Sequence, residues 1–264
     1  MISISSLLLK SSLLRKSILT NLKSKYFHEL GLSIPVKNNY WAHLSENDSY
    51  NSFSEIFIKQ EYEDILPKIQ YNKILDLGAH YGYFSLWLQA KTGAKNFRSL
   101  LVEPSSLCRC SLENLVSQPK LSGRFKYLIG ALGNPKNKNL QFFERPFMAS
   151  SNFDFSQKAP SKKINIVTQD EITESLEPPY DLIKCDIEGA EWEFIQHYQE
   201  ILFQSRYLIM EWHSWHNGGG GFEKIIQGVE NLGFELVKSF QPREAKTAVG
   251  EVGLFLAQNK SFEN

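Results

Sequence analysis

Seven short apolar runs punctuate the chain from Lys73 onward: 73-KILDLG-78, 99-SLLVEP-104, 124-RFKYLIGA-131, 180-YDLIKCDIEG-189, 206-RYLIMEWH-213, 234-FELVKSF-240 and 251-EVGLFLAQ-258. Each is rich in aliphatic and aromatic residues and bounded by glycine, proline or charged turns, the mark of a strand. Segments of helical periodicity fill the gaps between the first five. A strand–helix–strand succession lays parallel strands side by side and covers both faces of the sheet with helices. A loop joins the last two runs, which predicts an antiparallel hairpin at the sheet's end. The pattern therefore predicts an α/β fold with a seven-stranded, mostly parallel sheet. In such sheets ligands bind beyond the carboxyl ends of the strands, so functional residues belong at strand ends.

Residues 1–70 read differently. Leu7, Leu14, Ile18 and Leu22 fall near one face of a helix. The run EIFIKQEYEDILPKI is a second helix candidate, closed near Pro67. We expect residues 1–70 to form an N-terminal helical extension or cap and residues 71–264 the main domain. From Met1 to His28 there are five basic residues and no acid. This segment is expected to pack on the protein's own body or on a subunit, with contact to an anionic membrane surface as the second reading. No apolar run is long enough to span a bilayer. Tyr40, Trp41 and His43 are candidates for capping an acceptor pocket, although clustered aromatics more often pack.

Lysine plus arginine number 29, matched by 29 aspartate plus glutamate. That balance argues against nucleic acid as an obligate partner, because phosphate-binding surfaces need a basic excess. The three cysteines, Cys108, Cys110 and Cys185, have no C-x-x-C spacing and read as reduced thiols of a cytoplasmic protein.

The chemistry concentrates in three places. After the first strand, Asp76, Gly78 and Gly82 make D-x-G-x-x-x-G, with Ala79 inside the turn. Such a turn brings backbone close to a ligand and opens a helix whose N-terminus favours an anionic group. It lacks the middle glycine of the dinucleotide fingerprint G-x-G-x-x-G, which disfavours a nicotinamide-dependent oxidoreductase. Glu103 closes the second strand twenty-seven residues after Asp76, roughly the spacing at which an acid reaches a ribose. At the end of the fourth strand stand Asp186, Glu188, Gly189 and Glu191; the fifth adds Glu211 and His213 on one face. Crowded carboxylates require a raised pKa, a cation or a structural partner. Glu191 alone reads as a first-turn acid favoured by the helix dipole.

The blocks ILDLGAHYG, LLVEP, IVTQDEI, DLIKCDIEGAEWEFI and YLIMEWH, in this order, resemble the FkbM-type methyltransferases over roughly residues 73–260. The resemblance implies a Rossmann-like class I methyltransferase fold and methyl transfer from S-adenosylmethionine, most often to a hydroxyl of a sugar, lipid or secondary metabolite. Asp76, Gly78, Ala79, Gly82 and Glu103 would then hold the cofactor. His213 is the expected base, with Asp186 orienting and Glu211 nearby. A divalent cation held by Asp186, Glu188, Glu211 and His213 is the less favoured reading. A non-catalytic module that keeps the fold is a further alternative, against which the joint retention of Asp76, Glu103, Asp186 and Glu211 speaks. The run Asn217–Gly221 reads as a connector or flexible lid rather than a phosphate loop.

Overall fold

The structure, a computed structural model, describes residues 31–44, 49–136, 141–142, 162–214, 221–244 and 250–262. The chain opens with β1 (Leu32–Val36) and β2 (Tyr40–Leu44), followed by α1 (Ser49–Phe53) and a wider-turned helix over Ser54–Lys59. Then come β3 (Lys73–Leu77), α2 (Tyr83–Thr92), β4 (Arg98–Glu103), α3 (Arg109–Val116) and β5 (Phe125–Ile129). β6 (Gln141–Phe142) and β7 (Lys162–Lys163) form a small antiparallel pair ahead of α4 (Gln169–Ser175). The rest is β8 (Tyr180–Cys185), α5 (Glu191–His197), α6 (Gln199–Phe203), β9 (Ser205–His213), α7 (Gly221–Asn231), β10 (Phe234–Ser239), β11 (Arg243–Glu244) and β12 (Glu251–Asn259).

All seven apolar runs are strands of one sheet, in the order β10-β12-β9-β8-β3-β4-β5, with short β11 added beside β12. The strands from β9 to β5 pair in parallel, and β12 runs antiparallel to both β9 and β10. This is the Rossmann-like architecture expected from the sequence.

The period of two along each strand divides the core. Leu75, Leu77, Ile183, Cys185, Leu208 and Met210 face a layer closed by α5, α6 and α7. Ile74, Leu101, Leu182 and Ile209 face α2, α3 and the N-terminal segment. A reciprocal capping box starts α4: the Thr168 hydroxyl accepts from Glu171 N–H, and the Glu171 carboxylate accepts from Thr168 N–H at 2.8 Å.

The segment ahead of β3 departs from expectation. Residues 32–44, inside the stretch read as a helical extension, form a β-hairpin in which Leu32 pairs with Leu44 and Val36 with Tyr40. Asn38 and Asn39 at its tip both have positive φ, a conformation asparagine tolerates better than most residues and tight hairpins require. The exposed edge of β2 is satisfied by Gln118, whose amide accepts from Trp41 N–H (3.0 Å) and donates to Trp41 C=O (2.7 Å). Tyr40 is buried in the core shared with α2 and α3, Trp41 is exposed, and His43 bonds Ser33 at 2.8 Å. The helix expected up to Pro67 ends at Lys59 and gives way to turns. Leu7, Leu14, Ile18 and Leu22 lie outside the described residues, as does Asn217. No helix among the described residues is long and apolar enough to cross a membrane.

Candidate active site

Two glycines shape the turn after β3. Gly78 has φ +72°, and a Cβ placed there would sit 1.6 Å from the Asp186 carbonyl oxygen. The turn can therefore press against the end of β8 only without a side chain. Gly82 has φ +74° and caps α2; a Cβ there would meet Leu115 and Leu101 at 2.4 and 2.6 Å. Between them His80 also takes positive φ, and its N–H donates to the Glu103 carboxylate at 2.7 Å. The other Glu103 oxygen accepts from Ser105 N–H at 2.8 Å. Burial raises the Glu103 pKa, partly offset by His80 and the two N–H donors. A carboxylate offers about four lone-pair sites, so these two bonds leave capacity for ligand hydroxyls. Gly78, Val102, Pro104, Gly130, Ala131, Leu132 and Ile187 line a narrow, largely apolar cleft over the ends of β3, β4 and β5. The glycine turn, the apolar walls and the buried acid at the tip of β4 thus stand side by side at the carboxyl ends of the strands.

Asp76 is placed otherwise. It is fully buried beneath the turn. One oxygen accepts from the Ser85 hydroxyl at 2.7 Å, and the other lies 3.6 Å from the Lys184 ammonium. Lys184 also donates to Gly78 C=O at 2.7 Å and reaches Asp186 at 3.5 Å. Burial opposes its charge, but Asp186 and Asp76 outweigh that and keep its pKa above the usual lysine value. Burial raises the Asp76 pKa, against the pull of Lys184 and Ser85. Lys184 thus ties the glycine turn to the end of β8, a role the sequence reading missed. The available signal was a lysine inside the otherwise apolar run of a central strand, where a charge persists only if paired.

Asp186, Glu188, Glu211 and His213 do converge. His213, buried at the end of β9, places Nδ1 2.8 Å from Glu191, Nε2 3.6 Å from Glu188 and Nε2 3.7 Å from Glu211. Glu191, read from sequence as a dipole-favoured acid, is buried and also accepts from Gly189 N–H at 3.0 Å. Carboxylate and histidine atoms of Asp186, Glu211 and His213 lie within 4.8 Å of one another. Burial would lower the His213 pKa, but the Glu191 charge and the bonds to Glu191 and Glu211 drive it well above the usual imidazole value. Both ring nitrogens of His213 thus face carboxylates. Glu188 is the most open of the four, its side chain 35% exposed, against 27% for Asp186, 19% for Glu211 and 2% for His213. Its φ of +53° is strained for a residue with a side chain, a feature that collects at functional sites. Desolvation raises its pKa, as do Asp186, Glu211 and Glu191, against the pull of His213. The segment before β3 approaches the cluster from the other side. Tyr62 is buried there, its phenol held well above its ordinary pKa by burial and by the charges of Asp186 and Glu211.

The sequence profile of the Methyltransferase FkbM domain matches residues 76–236. Solved structures that resemble the chain include three proteins of low identity. A Pyrococcus horikoshii protein described as a transferase is 13% identical, covers 94% of this chain and 83% of its own, and has a TM-score of 0.49. TrmK of M. capricolum, solved with S-adenosyl-homocysteine, is 10% identical, with 77% and 68% covered and a TM-score of 0.46. The Methanococcus jannaschii fibrillarin pre-rRNA processing protein is 12% identical, with 74% and 70% covered and a TM-score of 0.44. None of the curated proteins compared with the chain matches it.

Proposed function

Because the chain belongs to the FkbM-type methyltransferases, we propose that it methylates a hydroxyl group of a sugar, lipid or secondary metabolite held over the carboxylate cluster at the ends of β8 and β9. Its methyl donor in this reading is S-adenosylmethionine, whose sulfonium carries an electrophilic methyl. Glu103 would accept the ribose hydroxyls, and the Gly78–Gly82 turn would admit the cofactor to the cleft. The observation that carries the reading is the contact of the two halves of the site. Gly78 of the cofactor turn packs on the backbone of Asp186, the first acid of the cluster, leaving no room for even a methyl group between them.

Asp186 and Glu211 would orient the acceptor, and Glu188, the most exposed carboxylate, would take its proton. When bound, the cofactor would supply the methyl group and keep the carbon–sulfur electron pair on leaving, while Glu188 would hold the proton lost by the acceptor hydroxyl. Holding the two reactants in line supplies up to about 7–11 kcal/mol of the barrier. A cluster of carboxylates repels a phosphodiester backbone, which favours a small-molecule or glycan acceptor over nucleic acid.

The test is calorimetric titration with S-adenosylhomocysteine, with NAD as comparison, followed by labelled methyl transfer to a panel of hydroxylated acceptors. Binding that Glu103→Ala abolishes, with methyl ethers as products, is expected. Products methylated on nitrogen or carbon would overturn the O-methyl assignment; absence of S-adenosylhomocysteine binding would overturn the cofactor site.

A further inference from the structure

The His213 geometry is unusual for a histidine that only fills space. Its Nδ1 is taken by a fully buried carboxylate, Glu191, at 2.8 Å. Glu191 is itself fixed by Gly189 N–H, so the ring has one orientation. That orientation aims Nε2 at Glu211 and Glu188, at 3.7 and 3.6 Å. Asp186 completes a group whose ligand atoms lie within 4.8 Å of one another, close to the spread of oxygens and nitrogens around a single ion of about 2.1–2.2 Å bond length. A buried carboxylate holding one ring nitrogen while the other points into oxygen donors is the outer-shell arrangement of histidine metal ligands.

We propose that Asp186, Glu211 and the Nε2 of His213 bind a hard divalent cation, Mg²⁺ or Mn²⁺, with Glu191 as the outer-shell carboxylate that orients the imidazole. The donor set of two carboxylates and one imidazole suits these ions better than a thiophilic metal. The local charge balance points the same way. Four carboxylates, Asp186, Glu188, Glu191 and Glu211, surround the site, while Arg243 reaches it only from the exposed rim at 3.8 Å and Lys184 is shared with Asp76. A divalent ion would set two positive charges among these carboxylates. This rests on the methyltransferase reading and extends it: a coordinated acceptor hydroxyl loses its proton to Glu188 more readily, and the resulting oxygen is the nucleophile.

The probe is Mn²⁺, titrated into the full chain while the signal of the free aqueous ion is followed by electron paramagnetic resonance. One tight site per chain is expected. Glu211→Gln and Asp186→Asn should weaken it at least about tenfold, and Glu191→Gln, which touches no ion, about 10–100-fold through the ring's orientation. The melting temperature and far-ultraviolet circular dichroism of each variant, measured alongside, show that it is folded. Mn²⁺ depletion that is absent, or equal in wild type and the folded variants, overturns the site. The readout needs no turnover: Mn²⁺ bound at this site without any S-adenosylhomocysteine affinity would defeat the methyltransferase reading and leave the metal site standing.

Discussion

Lys184 carries a positive charge into the middle of the sheet, where it is buried between Asp76 and Asp186. Removing one partner of a buried ion pair strands the other, at about 3–5 kcal/mol. Lys184→Met should therefore lower stability by that amount in urea unfolding and also weaken S-adenosylhomocysteine binding, since the same ammonium holds Gly78 C=O. Gly78→Ala is expected to be worse for binding than for folding if the turn can slide, but its Cβ meets backbone, not a flexible side chain. We expect loss of measurable cofactor affinity together with a lower melting temperature. Glu103 gives a pH signature. Burial raises its pKa, so the folded chain holds this proton more tightly than the unfolded one. Its contribution to stability is full below the unfolded pKa and is lost as pH rises through the folded value. Ribose binding needs the opposite, ionised form. Affinity for S-adenosylhomocysteine should fall on acidification through that raised value, at a higher pH than for an ordinary glutamate, and Glu103→Gln should bind weakly without this dependence; calorimetry between about pH 5 and pH 8 reads both.

At the scale of elements, the β1–β2 hairpin hangs on a side chain. Gln118 supplies both hydrogen bonds to the outer edge of β2 at Trp41. Gln118→Ala leaves those backbone groups to water or to nothing, at a cost of about 1–3 kcal/mol if they stay buried. Faster hydrogen exchange at the Trp41 amide, with exchange in β3 and β4 unchanged, is the expected result. The hairpin was the element that periodicity failed to expose, because five-residue strands on a partly exposed ribbon leave little pattern. Its tip was readable, since two adjacent asparagines between alternating runs favour positive φ. The central strands were legible because burial on both faces forces near-continuous apolar runs. The acids among their apolar residues, Asp76, Glu103 and Glu211, marked the site for the same reason, while Lys184 in the same setting went unread. What the sequence withheld was pairing. That Glu191 holds His213 and that Lys184 reaches Asp76 depends on strands adjacent only in the folded sheet.

Across the whole molecule the formal charge sums to zero, so no long-range repulsion keeps copies apart near neutral pH. β10 lies at one end of the sheet with Leu236, Val237 and Phe240 exposed. Among the described residues no strand pairs with its outer side, and such an edge offers backbone groups to another chain. Concentration-dependent association near pH 7 is expected in sedimentation experiments, relieved by Val237→Lys without loss of stability. The order of the sheet has a consequence for biosynthesis. β12, encoded after every other strand of the sheet, is inserted between β9 and β10. Until the ribosome has released it, β9 and β10 have no partner on their facing sides, and the nascent chain presents two open edges at once. Any transcript truncated before Glu251 would yield a polypeptide held permanently at that stage, with the strand carrying Glu211 and His213 unsupported and an adhesive flank exposed to chaperones and proteases.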